Sequence, residues 1–567
     1  MIRKHAILFL AFLLVINCFP LFAEVTTEVT TEENRVYERD DVYKQLELFN
    51  TALAYVLSNY YKELTKKELD EAMSSAIKGM MEGLGDRYSF YQAETSRKRE
   101  QENLFYAKFG GLGIRILPSA DGFVSIVQPM DGTPAMKAGL HSGDKIIRVD
   151  GKSIENMSID DVVDILRGEV GTKVTLTILR TGMDAPFDIT ITRDIINFPS
   201  VREIMIGDGI AYMQISSFTA ETATEMRQGI DKLKLQGMRA LIIDLRNNTG
   251  GMLTSAVDVS NAFIPDGVIV STDGRIDRFD SEYRAKRENV LLPMDFPLAV
   301  LVNYGSASGS EIFAGAIKDY KRGIIIGEKT FGKGVVQQRF PLDEYSAVSI
   351  TVSIYKTPNG NWIHDKFLFN IDKALLKDLD ANPLSDALRQ EFSNKNISLS
   401  TNAIISAKIK DYRWQIKDND QVYTVKKEEG DLKVYQGGIF PDIEVEQPDL
   451  LEGDKDGEKA KMLTKMYEGE YVDKYVYGYL DKHPEMIVHN IQDAEEQLNN
   501  LKSGLPELMK TLSDNGINLS ERIISMYVKR TFSSTKNVPN IDMENDLQLA
   551  KAVEEMRKKL EDNIHED

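Results

Sequence analysis

Leu298-Ala299-Val300-Leu301-Val302-Asn303-Tyr304-Gly305-Ser306-Ala307-Ser308-Gly309-Ser310-Glu311 is the stretch on which the fold turns. Its apolar opening reads as a buried strand, and the small residues that follow read as a turn into a helix from Glu311 to Tyr320. The same rhythm continues on both sides. Ile210 to Ile215, Ala240 to Leu245 and Gly323 to Ile326 have strand character, while Thr222 to Leu235 and the stretch after Leu253 have helical character. Strands alternating with helices through 200–355 predict an α/β sheet with largely buried strands.

Outward from that core the chain changes character several times, as 567 residues allow at roughly 100–200 per domain. Residues 36–100 read as helices, with Leu46, Phe49, Leu53 and Val56 on one face and Leu69, Met73, Ile77 and Met80 on another. Both are expected to be core faces, and Gly85-Asp86 closes the module. From about Phe105 short strands take over: Gly110-Gly111-Leu112-Gly113-Ile114, then Phe123 to Val127, a hairpin-type turn at Asp150-Gly151, and Lys173 to Leu179. One helix interrupts them, capped by Ser158, striped by Val162, Ile165 and Leu166, and ended by Gly168. This is the pattern of a compact binding module. Residues 364–432 read as polar and irregular, Val434 to Val445 as a closing strand region, and 450–567 as charged helices ending on the stripe Leu549, Val553, Met556 and Leu560.

At the N-terminus, Arg3 and Lys4 precede the apolar run Ala6 to Ile16, the layout of a secretory signal peptide with cleavage after Ala23. A retained anchor is the alternative, although the run falls short of the about 20 residues of a membrane span. Lipidation at Cys18 is a further one. Lys and Arg total 69 against 88 Asp and Glu, a net charge of −19, which argues against unaided nucleic-acid binding. One cysteine excludes a disulfide framework and any multi-cysteine metal site.

The turn at 303–311 carries the chemistry. Small residues let a substrate approach, and a helix N-terminus offers unpaired N–H groups to developing negative charge. Ser306, Ser308 and Ser310 are all placed to supply a nucleophile, though none sits in a Gly-x-Ser-x-Gly elbow. A serine needs a base, yet no histidine lies between Asp150 and Trp362, and His364 follows a polar turn. A lysine must serve, and Lys333 in Gly332-Lys333-Gly334 stands out. Read as running on in strand, Lys333, Val335 and Gln337 share one face, so Gln337 can orient the ammonium. To accept a proton Lys333 must be desolvated, its pKa falling from about 10.4 towards 7–8, roughly 4 kcal/mol against the charged form. Gly327 to Gly334 resembles a phosphate loop only superficially. Gly334 stands where a Ser or Thr must reach magnesium, and a strand follows in place of a helix. The paired glycines of Asp244-Leu245-Arg246-Asn247-Asn248-Thr249-Gly250-Gly251 can aim backbone N–H groups into a cleft. No metal and no cofactor enters this scheme.

Taken in order, these pieces resemble the carboxyl-terminal processing proteases, the tail-specific serine peptidase family with a Ser-Lys pair and an inserted PDZ domain. The matching motifs run from Ala76-Ile77-Lys78-Gly79-Met80 and Gly85 to Ser89, through Gly110 to Ile114, Pro134 to Leu140 and Leu166-Arg167-Gly168. They continue through Asp244 to Gly251, Gly305 to Glu311, Gly332 to Gln337 and Thr357-Pro358 to Gly438-Ile439-Phe440-Pro441-Asp442. The resemblance implies Ser308 as nucleophile, Lys333 as base, Gln337 as its orienting partner, and the amides of Gly309 and Gly251 as the oxyanion hole. It also implies capture of substrate C-termini at Gly110, Gly111, Leu112, Gly113 and Ile114, beside a pocket walled by Val162 and Leu166. The expected fold is α/β and multi-domain: signal peptide 1–23, helical module 24–104, PDZ domain 105–195 and protease core 196–363. An insertion at 364–432, a closing strand of the core at 433–449 and a helical extension at 450–567 complete it. The implied protein is an exported endopeptidase of the periplasm or cell envelope, acting on protein or peptide C-termini, with no nucleic-acid partner. Membrane association, a homo-oligomer and an adaptor stay open, and a catalytically inactive PDZ-bearing scaffold or chaperone is the rival. Thr249, Arg87 and the long segment 364–432 depart from the family pattern.

Overall fold

The computed structural model describes residues 37–92, 108–447, 454 and 457–566, apart from 120, 131–132, 142, 181–182, 184, 198, 344–345, 381–383, 402, 410–412, 419–420, 429–430, 484–490 and 537. The signal-peptide segment 1–23, Cys18 and Phe105 lie outside the described residues. The chain divides into two units, one ending at Arg87 and the other beginning at Tyr88. The first consists of two helices, Arg39–Asn59 and Lys66–Glu82, the second capped by Thr65, which exchanges hydrogen bonds with Glu68. Neither stripe makes a closed core: the first helix buries no residue, the second only Met81, and Phe49, Val56 and Met80 are exposed. Two helices alone enclose too little volume to bury a face on each. Residues 88–92 leave this module altogether, because Phe90–Gln92 pairs with the strand Ala347–Lys356 of the second unit.

The second unit is built on a sheet with strand order Val201–Gly207, Ile210–Ile215, Ala240–Asp244, Leu298–Val302, Ile324–Gly327, Ile443–Glu444. The first pair is antiparallel and all later pairs are parallel. Every residue of Ala240–Asp244 and Leu298–Val302 is buried, which requires cover on both faces. Helices Thr222–Leu235, Leu253–Asn261 and Gly309–Asp319 cover one. The other is covered by the last helix, Leu547–Glu566, through Leu549, Ala552, Val553, Met556 and Leu560. The expected extension 450–567 therefore splits: its final helix is a layer of the protease core, and the helices from Glu458–Glu468 to Glu521–Thr535 pack around a core of their own.

A second sheet joins Val335–Pro341, Ala347–Lys356, Val268–Gly274 and Ser281–Arg284. The segment expected to be irregular is ordered instead. Lys366–Ile371, Ile404–Ile409, Arg413–Asp418, Gln421–Glu428 and Asp431–Gln436 form a five-stranded antiparallel sheet over Leu388, Phe392, Trp414, Ile416, Val425 and Val434. Residues 433–436 thus belong to the insertion, and only Ile443–Glu444 closes the core sheet.

The inserted β-rich module has a six-stranded sheet with Ile114–Pro118 at one end, plus the pair Lys108–Gly111 and Asp194–Asn197. Its helix Ile159–Leu166 is held from below by buried Arg193, whose guanidinium donates to the carbonyls of Ile165 and Leu166. A cation on the last carbonyls satisfies acceptors the helix leaves unpaired.

Candidate active site

Three loops meet at the C-terminal ends of the parallel strands. After Val302, Asn303 accepts the amide of Asn247 and donates to the Asn247 side chain, stitching the turn to the loop after Ala240–Asp244. The turn's three serines are then separated by their partners. Ser306 is fully buried and its hydroxyl donates to the Leu245 carbonyl at 2.8 Å; Ser310, equally buried, donates to the Asn248 carbonyl at 2.8 Å. Ser308 is half-buried at the helix N-terminus with φ 54° and ψ −112°. A side chain in that region of backbone space carries strain of order 1–3 kcal/mol and is retained only where the surroundings impose it. The torsion is that of a strained strand-to-helix turn, although the Gly-x-Ser-x-Gly spacing is missing. Room comes from across the cleft, where a Cβ on Gly250 would lie 2.7 Å from Ser308 Cβ.

The loop Thr330 to Gly334 brings the Lys333 backbone beside the serine turn. It precedes the strand, which begins at Val335, and the pairing with Ala347–Lys356 slips between Val336 and Gln337. Simple alternation therefore does not relate Lys333 to Gln337, and the Gln337 amide turns to Thr351 Oγ1 at 3.4 Å. The Lys333 ammonium lies over the Tyr88 ring, 5.2 Å from its centre. Trp362 stacks on His364, donates its indole N–H to the Gly334 carbonyl, and leaves His364 Nδ1 to accept the Gly334 amide at 3.4 Å.

Two buried groups tie the serine turn to the lysine loop. The Glu311 carboxylate accepts from the amides of Ser308 (2.9 Å), Gly332 (2.6 Å) and Lys333 (2.8 Å) and from the Thr330 hydroxyl (2.6 Å). Burial raises its pKa above the usual carboxylate range, while the four donors pull the other way. The Tyr355 hydroxyl meets the carbonyls of the same two residues, Ser308 and Lys333. Sequence reasoning missed both. Ser308-x-x-Glu311 has capping-box spacing, which was the available signal for Glu311.

The glycine loop is anchored at its start. Asp244 and Arg246 pair side by side at 2.6 Å, Tyr212 donates to Asp244, and Arg246 continues to Asp546 at 2.7 Å and to Gln548 at the start of the last helix. At its end the Gly250 amide is engaged by Asn248 Oδ1, and the Gly250 carbonyl accepts from Phe218. Met252 donates to the Phe218 carbonyl, so the Gly251 amide, on the other side of this extended backbone, points away from Phe218. On the serine side the amides of Ser308, Ser310, Glu311 and Ile312 have partners within the turn, leaving Gly309 as the first-turn donor.

In the inserted module Leu112, Val162 and Leu166 are buried in one core with Ile114 packed against it, and the Gly110 carbonyl accepts the Gly168 amide at the helix end. Gly113 has φ +75°, and a Cβ there would strike Thr133. Of the expected loop residues, Gly110 meets the end of the helix, Leu112 and Ile114 join the core that holds Val162 and Leu166, Gly111 pairs with Asp194 and Gly113 packs on Thr133.

An α/β core with a strained serine at a helix N-terminus, a lysine loop bonded to it and a strand-edge binding module defines a PDZ-bearing serine peptidase. Comparison with known proteins agrees. Residues 209–372 match the model of peptidase family S41, and residues 125–180 that of the PDZ domain. The chain is 37% identical over 347 residues to a carboxy-terminal-processing protease of Bartonella bacilliformis, covering 60% of this chain and 78% of that one. It is 35% identical over 397 residues to the carboxy-terminal processing protease CtpA of Bacillus subtilis, covering 69% and 83%. Among solved structures it is similar to a photosystem II D1 C-terminal processing protease, at 29% identity over 55% of this chain and 83% of that one, with a TM-score of 0.33. This chain belongs to the S41 family of carboxy-terminal processing serine peptidases.

Proposed function

We propose that this peptidase is exported, captures unstructured, apolar C-termini of proteins through its PDZ domain, and cleaves them with Ser308 as nucleophile and Lys333 as base. The observation that carries the reading is that only Ser308 of the three serines has its hydroxyl uncommitted to a loop carbonyl, and it shares two buried anchors with Lys333. Neutral Lys333 accepts the Ser308 proton as Oγ attacks the scissile carbonyl, and the Gly309 and Gly251 amides receive the oxyanion. The proton passes to the leaving amine, and water then hydrolyses the acyl-enzyme with Lys333 again as base. Gln337 is assigned to orient the ammonium on the family resemblance. At the PDZ domain the peptide adds a strand along Ile114–Pro118, its carboxylate held at Gly110 to Gly113 and its last side chain beside Val162 and Leu166. Arg3, Lys4 and the apolar run Ala6 to Ile16 support export to the periplasm or envelope. The test is Ser308→Ala on an unfolded model substrate: product formation should vanish while peptide binding persists. Cleavage at the wild-type rate would overturn the assignment.

A further inference from the structure

We infer that Tyr355 is a positioning residue for the reaction: its hydroxyl holds the carbonyls of Ser308 and Lys333 at one point and so sets the separation of nucleophile and base. The inference rests on the assignment of those two residues above. Tyr355 sits near the end of Ala347–Lys356, opposite the strand that follows the lysine loop, and is almost wholly buried, at 2% exposure. Its hydroxyl lies 3.2 Å from the Ser308 carbonyl and closer still to that of Lys333. One hydroxyl carries one proton, so the two carbonyls share it and are drawn to the same centre. The backbone reinforces the grip, because the Tyr355 amide donates to the Gly334 carbonyl at 3.1 Å.

On the amide side, Glu311 accepts from the N–H groups of Ser308 and Lys333. The two catalytic peptides are thereby held from both edges, one by a carboxylate and one by a phenol. Burial, then the neighbouring Glu311 and Tyr88, push the phenol pKa far above its usual value against the pull of a hydrogen bond with the Ser308 side chain, so Tyr355 stays protonated through the neutral range. Holding Ser308 at φ 54° needs such a fixed frame, since the conformation is disfavoured on its own. Without the hydroxyl, the Lys333 carbonyl loses its phenol donor while the Ser308 carbonyl keeps the Glu311 and Ile312 amides of its own turn, so the link between the two is gone and the lysine loop can drift from the serine.

Tyr355→Phe removes the hydroxyl and little else. It is expected to lower kcat about 10- to 100-fold, the scale for an ångström of misplacement, with KM and PDZ peptide affinity unchanged. The labelling rate of Ser308 by a fluorophosphonate should fall with kcat. 4-Aminophenylalanine at position 355, a weaker donor in the same place, should restore part of both rates. A purely structural role moves Tm alone, so wild-type kcat and labelling in a folded Tyr355→Phe protein overturn the inference. If the Phe variant does not fold, the amino variant decides: lowered kcat at unchanged KM supports the role, and wild-type kcat refutes it. Ser308→Ala and Lys333→Ala in the same assay separate the two failures. If both are inactive while Tyr355→Phe is fully active, only the positioning role falls; if either is active, the catalytic assignment falls first.

Discussion

Gly250→Ala places one methyl group where the structure has no room for it. Its Cβ would lie 2.7 Å from Ser308 Cβ and 2.8 Å from both the Ala307 carbonyl oxygen and the Gly309 nitrogen. Carbon pairs rest at about 3.5–4.0 Å, so the serine turn must retreat by about 1 Å. A displacement of that size costs about 100-fold in rate, or about 2.7 kcal/mol in the barrier. The backbone adds its own penalty, because φ is +104° at this position and a Cβ there costs about 1–3 kcal/mol of stability. Gly139→Ala is the control, since φ is +79° there but nothing lies within 4 Å of the added carbon. Both variants should melt earlier, and only Gly250→Ala should lose kcat. Turnover of an unfolded substrate, fluorophosphonate labelling and calorimetry on the three proteins measure this. Wild-type kcat in a folded Gly250→Ala enzyme would refute the idea that this glycine makes room for the nucleophile.

Lys333→Arg should be as inactive as Lys333→Ala, because a guanidinium cannot accept the serine proton; steady-state rates of the two variants check this. Glu311→Gln should lower kcat about 100-fold, since an amide NH2 would face the N–H donors at one of the two oxygens. In the wild type, Glu311 with its raised pKa takes up a proton as pH falls, so activity should decline at a pH above the ordinary carboxylate range. The sign for stability is opposite: protonation relieves a buried charge, so this group stabilises below its unfolded pKa and loses that contribution as pH rises through the raised value; paired rate and melting profiles against pH test it. Asp365→Asn should destabilise the fold by about 3–5 kcal/mol by removing the carboxylate charge that faces the buried ammonium of Lys329, which lies 2.9 Å from Asp365 and 3.0 Å from Thr424 of the insertion. Denaturant titration measures that loss, and adding Lys329→Met should recover most of it. Amidating a substrate's C-terminus should raise KM on the full enzyme, and equal kinetics for acid and amide would contradict carboxylate capture.

The alternation of buried strand and helix through 200–355 was readable because periodicity acts over a few neighbouring residues. The same locality made the turn at 303–311, the cap at Ser158 and the lysine loop visible, and the missing histidines directed attention to Lys333. The insertion shows where such reading stops. Leu432 and Val434 do alternate with polar neighbours, but among so many charged residues the period was too short to stand out. Choosing Ser308 over Ser306 and Ser310 depended on carbonyls 61 and 62 residues away, at Leu245 and Asn248. Arg246 finds Asp546 at a separation of 300 residues, and Tyr355 bridges two loops from a third element. Local sequence was enough for the class of fold, the family and the short loops in which we place the chemistry. Only tertiary contacts show which serine hydroxyl is not committed to a loop carbonyl, what surrounds its strained backbone and which residues join its turn to the lysine loop. Those choices are made by hydrogen bonds between buried groups brought together only when the sheet and its covering helices have closed.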